Sequence, residues 1–156
     1  MNALTRQAEP AVTKLLDAED DQLYEQLGIR ARALAIDPGT AGSFDPSVTY
    51  DEARMGLKDD VKEFGKRLFR RWNKEAHNLV CGSKEGDQKD REDLLKAFGV
   101  SESVVAATVA ALLVSSLGVA PAIAAVVAAL AVRKFFRPGY EEFCAVWGEH
   151  LAEGGA

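Results

Sequence analysis

Two histidines and two cysteines hold most of the chemical reach of this sequence. His77 and Cys81 stand four residues apart and share one face of a helix, whereas Cys144 and His150 stand six apart, on different faces of another. Imidazole and thiolate are ligands that zinc prefers, and a thiol beside an imidazole is the pair that activates a cysteine nucleophile. Neither pattern is built here: there is no CxxC, no HExxH, and no oxyanion-hole element near either cysteine. An enzyme reading needs Cys81 or Cys144 beside a histidine in an open cleft. The expectation is that both thiols are reduced and buried, that no metal or cofactor is held, and that the protein is not an enzyme. The carboxylates agree, because all fall in charged stretches and none stands alone among apolar residues, where its pKa would be displaced for acid–base work. The glycine loops at 39–42 and 82–84 lack the GxxxxGKS/T spacing and a preceding strand, so no phosphate cradle and no small-molecule substrate are indicated.

Charge offers the second kind of chemistry. With 19 basic and 24 acidic residues the net charge is -5, which argues against a nucleic-acid binder. Residues 94–105 resemble a helix-turn-helix in outline, yet the second helix would present Ala106, Ala107, Thr108, Ala110 and Ala111, none of which reads a base edge. Lys62, Lys66, Arg70 and Lys74 recur every four residues and form a basic face for an anionic partner or lipid headgroup. A solvated face is the ordinary outcome, and the acidic run from Asp17 to Glu25 is an intramolecular target. Arg133, Lys134 and Arg137 suit the negative end of a helix dipole; in a membrane they would be interface anchors.

These groups need elements to position them, and periodicity predicts only helices. Residues 1–36 form acidic N-terminal helices, with stripes at Val12, Leu15, Leu16 and at Leu23, Tyr24, Leu27, and with a break or kink at Gly28. Residues 37–48 form a Pro/Gly loop within one domain, since 36 residues are too few for a separate core. Residues 60–81 form an amphipathic helix whose apolar face runs through Val61, Phe64, Leu68, Trp72, Ala76 and Leu79, closed by Gly82. A short helix follows at 87–98. Ser101 or Ser103 caps a hydrophobic hairpin at 101–137, and an amphipathic C-terminal helix fills 139–152.

The hairpin poses the sharpest question. Ser103 to Val132 is 30 residues without a charge, and 11 of the chain's 25 alanines lie in it. Gly118 and Pro121 divide it into two helices of about 22 Å each, short of the roughly 30 Å hydrocarbon core. In the window 104–122, 8 of 19 residues are Val or Leu. At about -0.3 to -0.6 kcal/mol each, they leave membrane insertion marginal. Small stripes (Ser103, Ala106, Ala107, Ala110, Ala111; Ala122, Ala125, Ala128, Ala129) allow close backbone approach. The large residues Val105, Val109, Leu112, Leu113, Ile123, Val126, Val127 and Leu130 then need cover from other helices or from lipid. The layout is similar to the buried hydrophobic hairpin of pore-forming colicins, over about 30 residues and in organisation alone.

The expected fold is therefore all-α: a compact single-domain bundle of about six helices around a central Ala-rich hairpin. The expected function is non-enzymatic, through binding to another protein or to itself. The alternative is a membrane-associated or membrane-inserting protein that uses the hairpin. The lack of an export signal at Met1 to Pro10 and the few cysteines favour a cytoplasmic location, with membrane association under the alternative.

Overall fold

Thirty uncharged residues can stay in water only if other elements cover them, and the computed structural model, which describes residues 3–82 and 88–153, shows how. The described residues are all-helical: α1 (Ala3–Leu16), α2 (Asp20–Ile36), a 3-10 turn (Pro38–Gly42), the four-residue α3 (Glu52–Met55), α4 (Lys58–Cys81), α5 (Gln88–Phe98), α6 (Glu102–Leu117), α7 (Pro121–Phe135) and α8 (Tyr140–Ala152). Seven of these helices pack together as a bundle.

The hairpin α6–α7 is the centre. The Ser101 hydroxyl accepts from the Val104 amide and caps α6. Gly118 ends α6 with φ 67°, the left-handed conformation that glycine adopts without a Cβ penalty, and Pro121 opens α7. Residues 104–113 and 122–132 are all buried, and the exposed positions of the pair are Glu102 at the start of α6 and the turn Ser115–Gly118. All eight large hairpin residues expected to need cover receive it from protein. So do the alanine stripes. No described helix is long and apolar enough to cross a membrane. The one polar side chain deep in α6, Thr108, returns its hydroxyl to the Val104 carbonyl at 2.8 Å.

The shell wraps this pair. α1 lies on α6 and α7, α2 on α7, α5 on α6, and α8 on α7 and α4. α1 turns Thr5, Ala8, Ala11, Val12 and Leu15 inward and continues through Pro10. α2 begins where the acidic run predicts: Glu19 caps it in a reciprocal capping box with Gln22.

Two local expectations are corrected. Gly28 neither ends nor kinks α2, which is continuous to Ile36. It lies where α2 crosses α4 and faces Gly65 there. A Cβ on Gly65 would collide with the Tyr24 carbonyl oxygen, and one on Gly28 with the Val61 carbonyl oxygen and, at 2.8 Å, with Val61 Cγ1. These glycines serve close backbone approach. That approach also rotates α4. Its buried face passes through Val61, Gly65, Phe69, Asn73, Ala76 and Val80, while Phe64, Leu68 and Trp72 are half-buried at the edges. Arg32 and Arg67 lie over the Phe64 ring and Arg71 over Trp72, so cations complete the cover of these rings.

Candidate functional site

The seam between α4 and α8 brings together three of the four residues with which the sequence reading began. The helices run antiparallel. From one end of the seam to the other, the Tyr140 hydroxyl donates to the Val80 carbonyl at 2.6 Å and Cys81 meets Cys144. The Nε2–H of His77 donates to the Cys144 carbonyl at 3.3 Å, and the Trp147 indole N–H donates to Asn73 Oδ1 at 2.6 Å. A carbonyl only accepts, so the Cys144 contact fixes the protonated nitrogen of His77. The His77 ring stands edge-on to Trp147 at 5.3 Å.

Cys81 and Cys144 form a disulfide, with Cα atoms 5.7 Å apart, which corrects the expectation of two reduced, buried thiols. Both residues are half-buried. They line an open depression of about 410 Å³ with His77, Arg91, Tyr140, Glu141 and Ala145. His150 does not join them; it packs on Phe135, and its Nε2 is buried without a hydrogen-bond partner. With both sulfurs bonded to each other there is no thiolate to ligate zinc or to attack a carbonyl. Among the described residues no group of three or more His, Cys, Asp and Glu is placed to hold a metal. A signal for the disulfide was present in the sequence: Cys81 ends the apolar face of α4, Cys144 sits on that of α8, and two cysteines allow one pairing. What sequence could not supply was that α4 and α8 are neighbours.

The basic residues divide. Lys62 pairs with Asp21 at 3.8 Å, and Lys66 pairs with Glu63 at 3.4 Å and lies over the Tyr24 ring, so this half of the stripe faces the acidic start of α2. Arg70 and Lys74 are exposed. Arg133 donates to Asp20 (2.7 Å), Glu19 (3.2 Å) and the Leu16 carbonyl (3.2 Å), and Lys134 pairs with Asp20 at 3.7 Å. These two tie the basic end of α7 to the junction of α1 and α2. Arg137 is exposed and donates to the Phe136 carbonyl. α6, the second helix of the helix-turn-helix outline, is buried from Val104 to Leu113, out of reach of a DNA groove.

Sequence reasoning passed over Arg30, which is 3% exposed. Its guanidinium donates to the carbonyls of Phe44 (2.9 Å) and Ala122 (3.0 Å), and Asp45 stands 3.6 Å away. Burial lowers its pKa, and the charge of Asp45 opposes that shift. Arg30 thereby pins the 37–46 loop to the tip of the hairpin. No periodic signal marks it, because an arginine in a polar helix reads as solvated.

The pinned loop shapes a second concavity. Ala33 and Ile36 of α2, Val48, Tyr50 and Met55 form the apolar part of a groove of about 440 Å³, edged by Asp37, Asp51 and Arg54. The Tyr50 hydroxyl donates to the Gly56 carbonyl at 2.6 Å. Desolvation pushes the Tyr50 phenol up, as do the carboxylates of Glu52, Asp51 and Asp60, while Lys58 lies over its ring at 5.9 Å. Ile36 at its rim is 38% exposed, and Leu57, just past it in sequence, is 60% exposed. Comparisons with protein-family models, with curated proteins and with solved structures find no match to this chain.

Proposed function

We propose that this protein is a non-enzymatic helical module that acts by binding another protein, or a second copy of itself, at the groove beside α2. One observation carries the reading. The shell consumes the apolar surface of the hairpin, yet beside α2 it leaves an open apolar concavity with exposed Ile36 in its lining. Large apolar side chains at the rim of a pocket are the composition of an anchor site for a partner. Light scattering over a concentration series reports self-association. Affinity capture with the wild type and with Ile36→Asp separates groove binding from adventitious binding. The expected result is a partner, or a dimer, that Ile36→Asp loses while Arg70→Ala keeps it. Equal retention by both variants removes the groove from the proposal.

A second reading, insertion of the hairpin into a membrane, is favoured by one observation: Ser103 to Val132 carries no charge on any face. The helices that bury it are amphipathic and could in turn face water if they were displaced. Flotation of the protein with anionic liposomes tests this reading. Binding that persists at high salt and is lost in Val109→Asp supports it, provided that the variant is folded. Absence of flotation at neutral and at acidic pH removes it.

A further inference from the structure

We propose that the Cys81–Cys144 disulfide is a thiol-exchange site, reduced in the folded protein by a small thiol that enters the depression between α4 and α8, and that its reduction loosens α8. The inference is independent of the groove and of the proposed partner.

Three observations carry it. The first is access. Both cysteines are half-buried and line an open depression of about 410 Å³, large enough for a low-molecular-weight thiol. Structural disulfides that resist reduction are usually sealed from an attacking thiolate, and exposed ones are the labile class. The second is the chemistry around the sulfurs. The Arg91 guanidinium reaches the depression, donating to the Gly82 carbonyl at 2.6 Å beside Cys81, and a cation there favours the approach of a thiolate. The two sulfurs also differ in environment. Cys81 is the last residue of α4, next to the Gly82 carbonyl that Arg91 holds, whereas Cys144 lies beyond the first turn of α8, three residues after Glu141, which lines the same depression. A thiolate drawn in by Arg91 therefore meets Cys81 first, and Cys144 is the sulfur that leaves.

The third is consequence. The bond closes a loop of 63 residues that spans the hairpin and joins the C-terminal helix to the rest of the bundle. Phe143 and Trp147 remain buried against the core, so they keep α8 seated after reduction. What changes is the tether: with the S–S bond gone, α8 is held to α4 by noncovalent contacts alone and opens more often than in the oxidised chain.

The step balances with two equivalents of thiol. The first thiolate attacks Cys81 Sγ, the S–S bond breaks, and Cys144 leaves as a thiolate that takes up a proton. The second thiolate attacks the sulfur of the first thiol in the mixed disulfide and releases Cys81. The protein disulfide gains two electrons and two protons, and the two small thiols leave as their own disulfide.

The test uses the intact, oxidised wild-type chain without denaturant, with reduced glutathione as the probe. Reduction is followed by alkylation and mass, and the helical signal by circular dichroism. The expected result is a rate linear in glutathione while the helical signal is retained, a trapped adduct on Cys81, and amide exchange that speeds in 140–152 far more than in 104–132. A rate that is independent of glutathione and equal to that of global unfolding overturns direct attack. An adduct on Cys144 overturns the assigned direction, and unchanged exchange in 140–152 after full reduction overturns the latch. Because these readouts concern the wild type, they hold even if Cys144→Ser does not fold.

Discussion

The hairpin and the shell around it are stabilised by opposite means. Within α6 and α7 burial does nearly everything: residues 104–113 and 122–132 are alanines and branched aliphatics with one threonine among them. Such packing is dense, non-directional and intolerant of a charge. The shell is joined by named devices: the Gly28–Gly65 crossing, the Arg30 spokes, the Arg133 cluster, and the hydrogen bonds and disulfide between α4 and α8. Each fixes which helix meets which and at what height. A uniform apolar pair would slide and rotate among near-equal packings, so the uniqueness of this fold comes from the shell, whereas most of its stability comes from the centre.

The sharpest way to break the comparison is a charge in the centre. Val109 is fully buried in α6. Val109→Asp places an unpaired carboxylate there and is expected to cost about 3–5 kcal/mol, enough to deplete the folded state of a domain this size. Soluble yield and urea denaturation read the loss. The control is Val100→Asp, at a position 69% exposed, which is expected to leave the midpoint unchanged. A folded, undiminished Val109→Asp would mean that the centre is far looser than its burial implies.

Next in size is a single methyl group in the shell. Gly65→Ala puts a Cβ against backbone, the Tyr24 carbonyl, and no rotamer relieves it. The helices must move apart, at about 2–3 kcal/mol. Gly42→Ala, with open space around its Cβ, is expected to cost a few tenths of a kcal/mol at most. Equal midpoints for the two variants would show that α2 and α4 do not cross so closely.

How much of this was legible depends on whether a signal is local. The hairpin, its Ser101 cap, its Gly118 turn and its Pro121 start were readable because each is written in a few consecutive residues. The acidic start of α2 was readable for the same reason. The misread features all depend on a neighbour. Gly28 resembles a helix breaker until Gly65 is placed opposite it. Phe64, Leu68 and Trp72 outweigh Gly65 and Asn73 in any hydrophobic pattern, yet close approach at Gly65 turns the face of α4 toward the latter. Cys81 and Cys144 resemble reduced core thiols until α8 is laid antiparallel on α4. Arg30 is a surface arginine by every local rule, and only the returning 37–46 loop buries it. Of the candidate site residues, the eight large hairpin positions are buried by protein, as are the alanines between them, so burial does not single out a face. The basic stripe splits according to which of its members reach α2.

A smaller effect isolates one hydrogen bond in the α4–α8 seam. Trp147→Phe keeps a ring on Phe135 and Phe143 but removes the donor to Asn73 Oδ1. Asn73 is 1% exposed and its Nδ2 already lacks a partner, so its amide would be left wholly unsatisfied. The expected loss is about 1–3 kcal/mol, with part of it returned by Asn73→Leu in the same chain, because removing both polar partners is nearly neutral where removing one is not. A double-mutant cycle in urea measures the difference. If Asn73→Leu restores nothing, the cost of Trp147→Phe lies in packing, and the seam resembles the hairpin more than the rest of the shell.

The smallest expected effect separates the two halves of the basic stripe. Lys66 is turned toward α2, over the Tyr24 ring, while Arg70 one turn later points to water. Both are surface cations, for which a reversal of charge moves stability by about 0.5 kcal/mol or less. The ordering is the informative part. Lys66→Glu loses the Tyr24 contact and the pair with Glu63 and places a second carboxylate near the acidic start of α2, so it is expected to cost more than Arg70→Glu and to do so increasingly as salt is lowered. If instead Arg70→Glu proves the more costly, the exposed half of the stripe holds a contact that the folded chain does not account for, and an anionic partner outside this chain becomes the better explanation of that half.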